Sequence, residues 1–340
     1  MDNALNQFLE ILYAEKVALY KNKSASHRTK EQLIKGLQQR LGFLPKELIN
    51  QPELLTDCEE EQNFNGFSRK RIRYLTANAL EANAYILTPD NALDSEQLPT
   101  VIALHGHGYG NKEVVGLTAE GYEDDTNGGI HNQFAIKLVN QGFKVIAPEL
   151  IGIGGRMLKQ DLTEQRSSSC DKLTRALMLS GITLAGLRVY EITRLLDIIK
   201  QFNDVDQSRI GIMGFSGGGL VAGYSSILDK RIQATVLTGF TNTFKGSILA
   251  SQHCIDNYLP DILAVGELPE LLSCIAPRPL FIESGINDPI FPIASTKEAV
   301  AFLENVYRQE VEQASFAYEF FEGRHEVKGD TAIMWLKENL

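Results

Sequence analysis

The chain has 340 residues, with 33 Lys and Arg against 43 Asp and Glu, for a formal net charge of −10 and a pI near 5.2. That balance opposes nucleic acid and an anionic membrane surface as partners, because both carry the same sign of charge. Hydrophobic residues at 44% and charged residues at 22% describe a globular chain with material for a large core.

No stretch of about 18 uninterrupted apolar residues could span a bilayer. No basic segment followed by an apolar core opens the chain, so a cytoplasmic location is expected. Cys58, Cys170, Cys254 and Cys274 lack C-x-x-C spacing and are expected as buried, reduced thiols, with disulfides left open by the even count.

Residues 2–45 read as helical. Phe8, Leu9, Ile11, Leu12 and Tyr13 open an apolar face, and Leu33, Leu37 and Leu41 recur at helical spacing. A break is expected near residues 26–29, and Gly42 and Pro45 stop the second helix. This segment, taken to residue 67, is expected as a helical extension that covers the sheet edge, overhangs the site or forms a homo-oligomer contact. From residue 68 onward the texture is that of a catalytic α/β domain. Arg71–Thr76 and Asn83–Thr88 read as paired strands. Thr100–Leu104 is apolar throughout, as a strand buried on both faces should be.

A polar, glycine-rich loop at about 106–130 leads to a helix over 131–141 and a strand over Phe143–Ala147. A polar insertion at about 151–179 precedes a helix over 180–202, with Leu184, Leu187, Ile192, Leu195, Leu196 and Ile199 on one side. Ile210–Met213 and Gln233–Thr238 are strands, and a second insertion fills about 241–276. A strand over Arg278–Glu283, a helix over Lys297–Val306, a strand over Ser315–Phe320 and a closing helix over Thr331–Asn339 complete the chain. Strands alternating with helices predict a mostly parallel sheet with helices on both faces.

Gly214-Phe-Ser216-Gly-Gly218 fits G-x-S-x-G between a strand and a helix, the setting in which a strained turn presents its serine. A serine hydroxyl needs a base to take its proton and a third group to orient that base. In chain order the acid and the histidine follow the serine. Asp288, in Asn287-Asp-Pro289, and His325, in Gly323-Arg-His-Glu326, fall after late strands and are the expected partners. Asn-Asp-Pro is equally a plain turn sequence. Glu283 is the backup acid but should lie within its strand.

The oxyanion donors are expected to be the N–H groups of Gly217 and of His107, the latter in His105-Gly-His-Gly108. His105 and His107 at i, i+2 lack a third metal ligand of suitable spacing, so no metal is expected. Gly152-Ile-Gly-Gly-Arg-Met157 misses the third glycine of a dinucleotide motif and no P-loop occurs, so no cofactor is expected. Arg156 and Glu149 are either pocket-lining or a solvated pair.

These residues resemble the α/β-hydrolase superfamily over about 68–340, and within it the dienelactone hydrolase and acetyl xylan esterase-like branch. His105-Gly-His-Gly108, Gly214-Phe-Ser-Gly-Gly-Gly219, His253-Cys-Ile-Asp-Asn-Tyr-Leu-Pro260 and Ile275–Gly285 with Asn287–Pro292 carry the match. The resemblance implies a nucleophile at Ser216, an acid at Asp288 and a base at His325. Dienelactone hydrolases use cysteine as nucleophile, so this serine departs from them. The second insertion is expected to wall the pocket, which makes His253, Asn257 and Tyr258 substrate-contact candidates. The expected activity is hydrolysis of a small-molecule ester through an acyl-enzyme. The alternatives are a peptidase or amidase with the same triad, or a binding protein without chemistry.

Overall fold

The computed structural model describes residues 2–22, 29–49, 53–90, 97–126, 128–309 and 315–340. Its centre is one sheet of β1 (Glu53–Asn63), β2 (Phe67–Ala77), β3 (Leu80–Pro89), β4 (Leu98–Leu104), β5 (Lys144–Pro148), β6 (Val205–Phe215), β7 (Ala234–Thr238), β8 (Leu280–Gly285) and β9 (Phe316–Phe321). The spatial order is β1-β2-β3-β5-β4-β6-β7-β8-β9. β1, β2, β3 and β5 pair antiparallel, and every pair from β5-β4 to β8-β9 is parallel.

Alternation along the central strands divides the core into two layers. Ile102, Leu104, Ile146, Ile212 and Ile282 face one layer, shared with helices Lys30–Leu41, Leu184–Ile199, Gly217–Leu228 and Ile293–Gln309. Val101, Ala103, Val145, Ala147, Met213 and Phe281 face the other, shared with helices Phe134–Val139 and Asp330–Asn339. This is the mostly parallel α/β arrangement that the alternation of elements predicts. No single helix among the described residues is long and apolar enough to cross a membrane.

Three boundaries differ from the sequence reading. The extension is not helical to residue 67, because Glu53–Asn63 forms the edge strand β1, with Glu60 opposite Arg71 and Glu61 opposite Lys70. Its acidic run shows no apolar alternation in the sequence, so the strand pattern is absent there. The helix expected over 180–202 spans Leu184–Ile199, and a separate helix, Cys170–Leu179, forms within the stretch expected as a polar insertion. Gly181 at φ 74 stops the earlier helix, and the Thr183 hydroxyl caps the later one by accepting from Gly186 N–H at 3.0 Å. The helix expected over 131–141 shortens to Phe134–Val139.

Of the break expected at 26–29, only Thr29 lies within the described residues, where it caps Lys30–Leu41. Gly42 closes that helix at φ 85.

The N-terminal helix Asp2–Asn22 does not lie on the sheet edge. Tyr13 donates to Glu267 at 2.8 Å, Lys16 pairs with Asp261 at 2.7 Å and Glu10 with Lys245 at 2.8 Å. Helix and second insertion together bound a cavity of about 860 Å³ that includes Leu12, Ile248, Tyr258, Leu259 and Ile262. Leu5, Phe8 and Ile11 remain exposed.

The parallel register brings the carboxyl ends of the strands level. Leu104 pairs with Gly214, Gly214 with Leu237, and Thr238 with Glu283. The chain leaves β4 toward β5 and then returns to β6 on the other side of β4. A crevice opens at the carboxyl ends of the strands flanking such a switch, and this is where open α/β sheets bind ligands.

Candidate active site

β6 runs directly into Ser216, which holds φ 54 and ψ −119 before helix Gly217–Leu228. A non-glycine residue in this region is strained, and here surrounding contacts hold it. Ser216 N–H donates to Thr238 O at 2.9 Å. The glycines on either side permit the tight turn. A Cβ on Gly214 would stand 2.2 Å from Gly218 O, and one on Gly218 would stand 2.2 Å from Leu104 O.

The three residues expected to meet do meet. His325 Nε2 lies 2.8 Å from Ser216 Oγ, and His325 Nδ1 lies 2.7 Å from Asp288 Oδ2. Phe215 packs against the imidazole at 4.8 Å between centroids, and Phe291 stacks on it at 5.6 Å and 17°. Asp288 is buried. Its other oxygen accepts from Ile290 N–H at 2.8 Å and Phe291 N–H at 2.9 Å. One carboxylate oxygen of Asn-Asp-Pro thus closes a turn, and the other faces His325. This chain of contacts can carry a proton from the hydroxyl to Nε2 while the carboxylate stabilises the resulting imidazolium.

The loop after β4 packs against the turn, such that a Cβ on Gly106 would stand 3.1 Å from Ser216 Cβ. The N–H groups of Gly217 and His107 meet no backbone acceptor among the described residues. His105 faces inward. It is fully buried, contacts Gly106 O at 2.7 Å and accepts from Leu150 N–H at 3.0 Å. Burial pushes it down to about 3, so it holds the loop as a neutral ring.

Sequence reading missed His131. Its buried Nε2 accepts from Gly106 N–H at 3.0 Å, and Glu113 lies 2.5 Å from its Nδ1. The next residue, Asn132, donates its amide to Val327 O and Lys328 O, each at 3.1 Å. No local motif marks either residue.

The other candidates separate. His253 lies 2.9 Å from Ser247 Oγ and packs edge-on against Phe291 at 4.9 Å, one aromatic ring from His325. Burial pushes its titration below the ordinary value. Tyr258 is partly exposed and donates to Ile248 O at 3.0 Å.

Asn257 is buried, and its amide is used on Asp256 Oδ1 at 2.9 Å and Cys254 O at 3.3 Å. These bonds brace the insertion, and Asn257 also lines the cavity beneath the N-terminal helix. Arg156 lines a surface cavity of about 290 Å³ with Asn83, Ile151 and Met157, away from Ser216, Asp288 and His325, and it is not in a solvated pair with Glu149. It forms a buried two-pronged pair with Glu191, at 2.7 and 2.8 Å, and donates to the carbonyls of Glu149 and Glu81, each at 2.9 Å. These contacts occupy its Nη1 and Nη2 groups.

Glu283 lies within β8, fully buried, and accepts from Thr238 Oγ1 at 3.0 Å and Gly329 N–H at 2.7 Å. Burial outweighs these donors and pushes its carboxyl from 4.5 up to about 7. Below pH 4.5 the folded and unfolded chains both hold the proton. Between there and about 7 only the unfolded chain releases it, so unfolding free energy falls as pH rises through this window and levels off above it. Glu283→Gln should remove that slope, on the order of 2–4 kcal/mol across the window, as read by urea melts at stepped pH.

A family model for the Abhydrolase family matches residues 22–319. The protein YtaP of Bacillus subtilis (strain 168) is 26% identical over 282 residues, which cover 80% of this chain and 86% of YtaP. A candidate acetyl xylan esterase of Bacteroides fragilis NCTC 9343 superposes with a TM-score of 0.74 at 15% identity, over 92% of this chain and 87% of that one. A glucuronoyl esterase from Solibacter usitatus gives 0.66 at 14% identity, over 93% and 92%. At such identities the two solved structures speak for the fold. The family match runs from before β1 into β9 and contains Ser216 and Asp288, with His325 just beyond it, and the chain therefore belongs to the Abhydrolase family as an α/β-fold hydrolase.

Proposed function

We propose that this hydrolase cleaves carboxylic esters of small molecules through an acyl-enzyme on Ser216. The observation that carries the reading is the continuous contact from Ser216 Oγ through His325 to Asp288, at 2.8 and 2.7 Å. In this reading His325 Nε2 takes the hydroxyl proton as Oγ attacks the carbonyl. Asp288 keeps the Nδ1 proton in place, and the Gly217 and His107 amides receive the developing oxyanion. His325 then protonates the leaving alcohol and activates the water that releases the acid.

Ester rather than amide substrates are favoured because the fold relatives above are named for ester cleavage. A polar alcohol such as a sugar is the substrate class they suggest. His253 is assigned to the pocket wall beside Phe291, and Tyr258 to the cavity beneath the N-terminal helix.

The test compares kcat/KM on acetyl, longer-acyl and sugar esters with that on aminoacyl anilides, alongside labelling by a fluorophosphonate. Faster turnover of esters and labelling at Ser216 are expected. Preference for the anilides would replace the reading with a peptidase or amidase, and absence of labelling would replace it with a binding protein.

A further inference from the structure

Behind the oxyanion loop, four donor atoms from separate parts of the chain converge. His107, Cys170, Cys254 and Asp256 each offer one atom, and all four atoms lie within 4.8 Å of one another. His107 Nε2 stands 3.5 Å from Cys170 Sγ and 3.4 Å from Asp256 Oδ2, and Cys170 Sγ stands 3.9 Å from that oxygen. Sequence spacing around His105 and His107 offered no third ligand, because the others come from the two insertions, at 63 residues from His107 and beyond.

The distances decide between two accounts. A charge-assisted N–H···O bond between His107 and Asp256 would close to about 2.7–2.9 Å, and theirs is longer. A tetrahedral zinc ion binds sulfur at about 2.3 Å and imidazole nitrogen or carboxylate oxygen at about 2.0–2.1 Å. Tetrahedral angles then place sulfur and nitrogen about 3.5 Å apart, nitrogen and oxygen about 3.3 Å apart, and sulfur and oxygen about 3.5 Å apart. The first two agree with the observed contacts, and the third is within a few tenths of an ångström. Three of the four donors thus have separations close to those of ligands on one tetrahedral ion, and Cys254 Sγ lies within 4.8 Å of each of them.

We propose that His107 Nε2, Cys170 Sγ, Cys254 Sγ and Asp256 form a tetrahedral site for a thiophilic divalent cation, zinc in the first instance. Arg188 supplies the surroundings that such a site needs. It is fully buried, donates to Asp256 Oδ2 at 2.5 Å and to Cys170 Sγ at 3.3 Å, and is anchored on Ile151 O at 3.1 and 2.9 Å. Asn257 holds the other Asp256 oxygen at 2.9 Å. Such outer donors orient ligands and are a regular part of protein metal centres.

The charges also balance. Two thiolates and a carboxylate exceed a divalent ion by one negative charge, and the Arg188 guanidinium cancels it in a buried place where a net charge is expensive. A metal on Nε2 leaves the imidazole proton on Nδ1, and Nδ1 lies on the Gly217 side, 3.3 Å from where a Cβ on that glycine would stand. With four protein ligands the site is closed to substrate. It would fix the ring and tie the oxyanion loop to both insertions, so its role is positioning. The partly exposed His107 and Cys254 give the ion a way in.

The test does not depend on the ester reading. Full-length protein purified without chelator should contain close to one zinc per chain by inductively coupled plasma mass spectrometry. Titration of the stripped, reduced protein with cobalt(II) should give the visible bands of a tetrahedral thiolate site. Cys254→Ser and Cys170→Ser should each abolish those bands, with zinc affinity lowered at least tenfold. Should either variant fail to fold, the wild-type cobalt titration alone decides. Stripped, reduced wild-type protein that gives no such bands overturns the proposal. So does protein isolated free of metal with Cys170 and Cys254 joined as a disulfide.

Discussion

Ser216→Ala is expected to abolish turnover while leaving the chain folded, with kcat on short p-nitrophenyl esters falling by roughly 10⁶, the scale seen when a triad nucleophile is removed. The strained backbone at Ser216 is held by its neighbours, above all by the bond from its N–H to Thr238 O, and alanine keeps that N–H. Removing Oγ leaves His325 Nε2 without its partner but creates no cavity of consequence. Circular dichroism and the urea midpoint should stay close to wild type. Residual hydrolysis above background would come from the oxyanion donors acting on water. Wild-type rates in this variant would remove Ser216 from the chemistry.

Asp288→Asn is expected to lower kcat by on the order of 10⁴ with little change in stability. The two carboxylate oxygens do different work. One receives the Ile290 and Phe291 N–H groups and shapes the turn, and an amide oxygen can keep that role. The other faces His325 Nδ1 at 2.7 Å, and there the amide NH₂ presents hydrogens to a nitrogen that must itself carry one. The imidazole answers by moving its proton to Nε2, where it can no longer accept from Ser216. A pH–rate profile with an unaltered KM checks the effect on the base. A loss confined to KM would instead mean that Asp288 serves only to shape the turn.

Residues whose meaning is local were the legible ones. Ile102 and Leu104 alternate with Val101 and Ala103, and this placed β4 between two layers. Ser216 sits in a motif that works only between a strand and a helix. Asp288 and His325 could be placed because strand ends in a parallel sheet share one edge. β1 was invisible because the acidic run within Glu53–Asn63 carries no apolar alternation, and its pairing to β2 is antiparallel backbone register.

The Arg156–Glu191 pair was not legible because the two residues are 35 apart in the chain, on either side of a helix break. The cluster behind His107 is wholly a product of long-range convergence. One trace of it stood in the sequence: Arg188 interrupts the apolar face that runs through Ile192, Leu195 and Ile199. A lone guanidinium on a core-facing stripe needs a buried anion to meet it.

The adjoining residues His131 and Asn132 grip two loops that approach Ser216 from opposite directions, Gly106 by an imidazole and the Val327–Lys328 carbonyls by an amide. The amide that would steady the oxyanion and the histidine that would move the proton thus share one anchor. A fluctuation that frees one loop removes the support of the other, so the two halves of the site should open as a single cooperative unit. Such coupling would keep the nucleophile from facing a half-assembled site, with its base in place and its charge unsupported.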